Sequence, residues 1–541
     1  MKRLLRVLLW LVAGLVVLAA AGSLGVWLTL RASLAQLDGR RPLPGLVGPV
    51  PVERDALGVP TVYASNRVDA ARALGFLHAQ ERYFQMDLLR RRGAGELAAL
   101  FGPSLLEHDV AARRHGLRAA ARSSLEALPA PHRAVLDGYV AGVNAGLAAL
   151  RARPPEYLLL RQLPEPWLPE DSLLVGYAMF FTLQDSSGQD DLRAAAARRN
   201  LPAAAANFFF PHASSWDAAL DNSEIPAALP PEPKSLNFRP AGSASDRAAW
   251  PAASEDVWAG SLLPGSNSWG VQGGVSASGA AMVANDMHLD LGLPNIWFRA
   301  CLRWVDATGE RRRVVGVTLP GTPLLVVGST GYVAWGFTNG TLDTTDIILI
   351  EADPNRPERY RTPDGWRDYE TVTETITIAG ESPRTVRYRR TVWGPVIDEY
   401  PGRPLALSWI AHRPGAMNLD LLDLEGCTNV AEALAIAPRC GIPVQNFLVG
   451  DRAGALAWTL IGRLPKRVGF DGHLPVSWAD GTRRWTAGSR RTITRFRLRR
   501  PAAASGPRTT ASPARPTTSP LAPGTPTSEP GRDRFATTCW R

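Results

Sequence analysis

The chain changes its hydrophobic period at one place, and that change narrows the folds open to it. From Val68 to Arg153 apolar residues recur at helical spacing, in "DAARALGFLHAQERYFQMDLLRRR" and again in "HRAVLDGYVAGVNAGLAAL", and "SLLVGYAMFFTLQ" (172–184) adds an apolar helix. After Ser266 the pattern is alternation and β-branched enrichment: "RVVGVTL", "PLLVVGS", "YVAWGFT", "ETVTETITIA", "TVRYRRTV", "LALSWIA" and "GALAWTLIG". Between the two, Leu229 to Gly260 holds Pro, Ser, Ala and isolated charges without a period, the composition of an exposed linker. Helices gathered ahead of strands, rather than interleaved with them, predict an α+β architecture.

At the end of the linker stands "LPGSNSWGVQGG", Leu263 to Gly274, with Ser266 directly after Pro-Gly and at the mouth of a strand. The strand-like "NSWGVQ" and "AAMVAND" are joined by "GGVSASG", which reads as a hairpin connection. Paired residues of an antiparallel hairpin share a constant index sum, so a turn centred near Ala277 sets His288 opposite Ser266. Taken alone, a loop serine and a structural histidine account for the same residues.

Lys2, Arg3 and Arg6 precede an uncharged run from Val7 to Leu30. At 1.5 Å per residue such a helix covers a bilayer core of roughly 30 Å, with the upstream charges on the cytoplasmic side. It reads as a signal anchor, the alternative being a signal peptide cleaved near Ala19-Ala20-Ala21; both export the protein. The 541 residues call for several domains or one large layered one. The net charge of +10 does not mark a nucleic-acid surface, because eleven arginines against two acids lie beyond Ala487 and leave the rest nearly neutral. No nucleic-acid partner is expected. Four cysteines (Cys301, Cys427, Cys440, Cys539) make no disulfide framework in a chain this long. Cys427 and Cys440 are read either as a pair or as two buried thiols.

Several segments keep a common order: "VERDALGVPTVYA", "ALGFLHAQERYFQMDLLRRRGAGELAALFG", "PGSNSWGV", "VANDMHLDLGLPNIWF", "LPGTPLLVVGSTGYVAWGFTNG", "DTTDIILIE" and "GIPVQNFLVGDRAGALAWTLIGRLPKR". In this order, from about Pro51 to Trp485, the chain resembles the penicillin acylase family of N-terminal nucleophile amidohydrolases. The resemblance implies an αββα sandwich and hydrolysis of the amide of an N-acylated small molecule, of β-lactam side-chain or acyl-homoserine lactone type. It further implies self-cleavage between Gly265 and Ser266, which would leave two chains. The freed Ser266 α-amine, with a pKa of about 7.7 to 8.0, would serve as general base to its own hydroxyl. No Gly-x-Ser-x-Gly elbow suggests a different nucleophile.

The resemblance assigns further roles. His288 would orient the Ser266 amine and hydroxyl, and the backbone N–H of Asn339, in "AWGFTN", would face the developing oxyanion. "DTTD" resembles a structural calcium loop, with Asp343 and Asp346 as carboxylate ligands, the carbonyl of Thr345 as a third, and Asp191 as a loosely placed fourth; two aspartates capping a strand turn are the plain alternative. Leu289 and Val327 would line an apolar acyl pocket. No organic cofactor is expected. His78 and the arginines of "HAQERYFQMDLLRRR" are read as scaffold, and "GST" (328–330) stands where relatives carry "GHN", which puts local hydrogen bonds in doubt.

The resulting division is an anchor at 1–32, a helical region at 33–228, a spacer at 229–265, a nucleophile domain at 266–486 and a basic tail at 487–541. The tail is Arg-, Pro-, Thr- and Ser-rich without a hydrophobic period. A shifted frame or truncation is the expected cause, a natural basic tail the alternative. A second oxyanion asparagine carried by relatives falls beyond the match, so the chain is expected to be inactive as it stands. The competing class of function is a membrane-tethered binding module with a degenerate acylase body.

Overall fold

The uncharged amino-terminal run forms helix α1 (Lys2–Ala32), which buries no residue and has a mean hydropathy of 2.5 over its best window. Its length and composition suit a membrane span or a signal sequence. The computed structural model describes residues 2–211, 228–232, 234, 266–289, 291–400 and 402–486. These belong to one unit, Met1–Arg495, while a second unit, Phe496–Arg541, lies outside the described residues. Gly265, most of the spacer and the tail likewise lie outside them.

The expected helical region forms around α2 (Arg67–Ala94). The Asn66 side chain accepts from the Asp69 N–H and starts the helix; Gly95, at φ 70°, ends it with its N–H on the Arg91 carbonyl. Against α2 pack the Ala130–Ala148 and Pro169–Leu183 helices. Gly142 and Gly146 let α2 approach so closely that a Cβ at Gly142 would lie 1.9 Å from the Arg72 carbonyl oxygen.

Inside this layer the arginine run is buried. Asp87 Oδ1 accepts from Arg90 Nε at 2.7 Å and Arg91 Nε at 2.9 Å, and Asp87 Oδ2 accepts from the Tyr157 hydroxyl at 2.6 Å. Arg90 continues to Asp171 Oδ2 at 2.6 Å, and that oxygen also accepts from the Leu168 N–H at the start of the Pro169–Leu183 helix. The network fixes where this helix stands. His78 is buried between the Tyr139 hydroxyl and Thr318 Oγ1, at 2.7 and 2.9 Å. Burial, helped by Arg82, pulls its pKa down to about 3, so it is neutral scaffold.

The strands in chain order begin β1 (Val52–Arg54), β2 (Pro60–Tyr63), β3 (Asn267–Val271), β4 (Met282–Asp286), β5 (Phe298–Val305), β6 (Arg311–Thr318), β7 (Leu325–Ser329), β8 (Val333–Asn339) and β9 (Thr345–Leu349). Eight strands form the main sheet in the order β1-β2-β5-β6-β7-β8, then Gln445–Asp451 and Leu456–Ile461. Every pair is antiparallel except β2 with β5. One face carries Phe298, Thr318, Trp335 and Phe447 toward the helices, in one continuous apolar core. On the other face lies the β3–β4 hairpin, seated over Gly336 and Gly450: a Cβ there would come within 2.7 Å of Asn285 Cβ and 2.8 Å of Ala281 Cβ. Its outer face is open, with Trp269 and Met282 exposed. Helices, sheet and hairpin are thus stacked in that order.

Candidate active site

The hairpin register decides which residues meet. β3 and β4 pair as Asn267↔Asp286, Ser268↔Asn285 and Trp269↔Ala284, so Ser266 continues opposite Met287, one residue short of the expected His288. The cause is the connection, where a 3-10 turn at Gly273–Val275 is followed by a tight Ser276–Gly279 turn, moving the centre half a residue. A one-residue shift exchanges faces. Ser266 and Met287 therefore turn inward, while Asp286 and His288 share the outer face, where His288 Nε2 and Asp286 Oδ2 are 2.9 Å apart. His288 reaches Ser266 through its backbone: its N–H donates to Ser266 Oγ at 3.3 Å.

Asn339 ends β8. The Gly340 N–H donates to the Val444 carbonyl, so the Asn339↔Gln445 pair is of the non-hydrogen-bonded kind and the Asn339 N–H points away from the Gln445–Asp451 strand. On that free side β7 leaves β8 after Gly328↔Trp335. Asn285 from the hairpin replaces it: its Oδ1 accepts from the Phe337 N–H at 3.2 Å and its Nδ2 donates to the Phe337 carbonyl at 2.7 Å. One step further along the same edge comes Asn339. Its side chain donates to the Leu183 carbonyl at 2.9 Å, tying the edge to the Pro169–Leu183 helix.

Ser266 and Asn339 line the same cavity, between helices and sheet. Its walls are apolar: Met179, Leu183, Met287, Leu289, Trp297 and Phe337 among others, with Gly176 opposite Met417. Its empty volume is about 800 Å³, including the open mouth. Leu289 lies in this wall, whereas the strand neighbour Val326 stands where Val327 was expected: alternation along β7 turns Val327 to the other face. At the "GST" departure, Ser329 Oγ donates to the Val333 carbonyl and Thr330 Oγ1 accepts from the Tyr332 and Val333 N–H groups, so the β7–β8 turn is satisfied from within.

Four residues past Asn339 the "DTTD" turn leads into β9. Asp343, Thr345, Asp346 and Asp191 do come together, around a cation that the chain supplies itself. Arg467 pairs with Asp343 Oδ2 at 2.8 Å and Asp346 Oδ2 at 2.9 Å, and donates to the Thr345 carbonyl at 3.2 Å. Trp485 Nε1 donates to Asp346 Oδ2 as well. Asp191 Oδ2 is taken by the Ile347 N–H at 3.1 Å. Burial, with Asp343 alongside, pushes Asp191 up to about 8; burial pushes Asp346 up to about 7 against the pull of Arg467. The residues so placed do not fit a calcium ion, since the guanidinium occupies the oxygens it would need. Among the described residues no group of three or more His, Cys, Asp or Glu side chains is arranged to hold a metal.

Asn285 and Arg467 went unremarked in the sequence, although "VANDMH" and "GRLPKR" contain them; an Asn on a strand face and an Arg after Pro-Lys carry no signal of their own. Cys301, Cys427 and Cys440 are free and buried, and burial pushes the Cys427 thiol up to about 12.

Comparison with known proteins identifies the family. The chain is 32% identical over 488 residues to the penicillin acylase 2 proenzyme of Pseudomonas sp. (strain SE83), covering 84% of this chain and 58% of that protein. It is 28% identical over 471 residues to the acyl-homoserine lactone acylase QuiP of Pseudomonas aeruginosa, covering 84% and 54%. It is 24% identical over 495 residues to the penicillin G acylase of Escherichia coli, covering 81% and 56%. The chain thus spans little more than half the length of these relatives. A solved thermostable penicillin G acylase from Alcaligenes faecalis overlaps 41% of this chain and 40% of its own at 24% identity and a TM-score of 0.37. The family described as penicillin amidase matches residues 49–502, past the Trp485 at which the sequence motifs stop. On that match and the similarity to these relatives, the chain belongs to the penicillin amidase family.

Proposed function

We propose that the protein is the precursor of an exported, membrane-anchored amidase that hydrolyses N-acylated small molecules through an N-terminal serine. The observation that carries the reading is the shared cavity: Ser266 and Asn339 open onto one apolar chamber suited to an acyl chain. The Ser266 hydroxyl attacks the Gly265 carbonyl and the acyl group passes from nitrogen to oxygen, which frees the Ser266 α-amine; water then hydrolyses the ester, releasing the Gly265 carboxylate and regenerating the hydroxyl. That amine then takes the hydroxyl proton as the serine attacks a substrate carbonyl and returns it to the leaving amine; water releases the acid. The Asn339 N–H, on the edge that β7 leaves, faces the oxyanion. The complete αββα sandwich and processing into two chains belong to the same proposal.

His288 serves Ser266 through its N–H in the uncut chain; to meet the free amine its imidazole has to leave Asp286 and turn from the outer face. His288→Ala keeps the N–H, so cleavage is expected to survive while turnover falls by a factor on the order of 10². Unchanged turnover would leave the N–H as its whole contribution.

Amino-terminal sequencing of the mature fragments provides the test. A chain beginning Ser-Asn-Ser-Trp, absent in Ser266→Ala, supports self-cleavage; the same fragment from Ser266→Ala assigns the cut to another protease. Among the described residues the His288 N–H donates to Ser266 Oγ, and the base of the proposed mechanism is the α-amine that cleavage would free; a binding module that is never cut is the runner-up. An uncut wild-type chain that binds N-acyl compounds without turnover would establish that alternative.

A further inference from the structure

We propose that Arg467 is the resident cation of the turn after β8, standing in for a metal ion and holding the end of the strand that carries Asn339. The four positions a divalent ion would use are those around Arg467: the carboxylates of Asp343 and Asp346 and the Thr345 carbonyl within 3.2 Å, and Asp191 beside them. Its Nη atoms also lie 3.4 Å from the Asp343 carbonyl oxygen. A planar guanidinium spreads one charge over five N–H donors, so it can serve carboxylates and carbonyls at once where an ion would use a coordination shell.

Arg467 belongs to a short strand, Lys466–Val468, paired with Arg484–Thr486. Trp485 of that partner donates to Asp346, and its ring stacks beneath Arg413 with 5.0 Å between guanidinium carbon and ring centre. Two residues of one hairpin therefore clasp one carboxylate. The carboxylate sits at the start of β9, whose Asp346 pairs with Ser408 of the adjacent strand, while Asp343 is four residues from Asn339. Displacing Arg467 frees the turn at the point where β8 delivers its terminal N–H to the cavity. Its role as a positioning residue rests on the amidase reading; the replacement of a metal does not.

The experiment uses Tb³⁺, an oxygen-seeking ion whose emission an adjacent Trp485 can sensitise, together with thermal unfolding of the whole chain in Ca²⁺ or in EDTA. The wild type is expected to give no sensitised emission and a Tm indifferent to both additions. Arg467→Ala is expected to lose about 2–4 °C or more, to bind Tb³⁺, and to regain stability with Ca²⁺. Sensitised emission from the wild type, or a wild-type Tm that drops in EDTA, overturns the proposal, as does an Arg467→Ala protein that gains no affinity for Tb³⁺. Should the alanine variant fail to fold, Arg467→Lys and Arg467→Gln are compared. Lys retaining more of the wild-type Tm than Gln supports a cation lock, and equal Tm values overturn it. None of these readouts requires turnover, so a failed amidase assay leaves them interpretable.

Discussion

Two buried clusters of arginine and aspartate, one in the helix layer and one at the turn after β8, are built to opposite rules. In the helix layer each carboxylate has more than one donor: Asp87 serves Arg90, Arg91 and Tyr157, and Asp171 serves Arg90, Arg118 and the Leu168 N–H. At the turn after β8, three carboxylates face the single guanidinium of Arg467, and two are pushed far above the ordinary carboxylate range. The first cluster is saturated and acts as scaffold. The second is short of positive charge, so its charge balance depends on Arg467 and on protons, with the neutral Trp485 N–H as a further donor to Asp346. Burial alone does not tell scaffold from control point; the balance of guanidinium against carboxylate does.

The comparison is broken most severely at Asp87. Asp87→Ala strips three donors of their shared acceptor inside the core and is expected to cost about 3–5 kcal/mol, measured by denaturant unfolding; a loss below 1 kcal/mol would mean the network is not saturated but redundant. Gly336→Ala is expected to cost about 1–3 kcal/mol, because its Cβ meets Asn285 Cβ and lifts the hairpin from the sheet. Ser266 cleavage should fail with it, even at temperatures where the protein stays folded.

Acidity sharpens the contrast, because the regions respond with opposite sign. His78, held near 3, and His115, held near 4 by burial with Arg114 and Arg390 nearby, protonate more readily in the unfolded chain. The stability they contribute is present above an unfolded pKa of about 6.5 and is lost as pH falls toward 4 and then 3. Asp191 and Asp346 bind protons more readily when folded. Their contribution is present below an unfolded pKa of about 4 and is lost as pH rises through about 7 and 8. Unfolding free energies at pH 5 and pH 8 should therefore diverge between variants: His78→Gln flattens the acid side, Asp191→Asn the alkaline side. Identical pH profiles would contradict the assignment. The smallest effect is expected in the cavity wall, where Leu289→Ala should change the preferred acyl length with little change in Tm, read from a series of N-acyl substrates.

What the sequence made legible follows from period and what it hid follows from register. Alternation in "YVAWGFT" and "PLLVVGS" located β8 and β7 within a residue or two, and the apolar "SLLVGYAMFFTLQ" located the Pro169–Leu183 helix. The hairpin was legible as well, but its pairing was not, because a 3-10 turn and a β-turn of nearly equal length differ by half a residue at the centre. That half residue moved the His288 side chain to the other face. Val327 was placed by resemblance and not by period; the cavity wall carries its neighbour Val326, next to a shift of register between β6 and β7. Arg467 was hidden for a different reason. Sequence order says nothing about a cation arriving from more than a hundred residues away.

Asn285 gives the hairpin a property that bears on any break in the backbone before Ser266. A new chain end beginning at residue 266 would ordinarily fray, since a terminal strand keeps only its ladder bonds. Here the partner strand is pinned to the main sheet through both bonds of one amide on Phe337, and the ladder from Asn267 to Val271 hangs from that pin. Cutting the chain removes a tether the strand does not need. A terminus freed there would stay docked beside Asn339, like a key left in its lock after the chain it hung from has been cut.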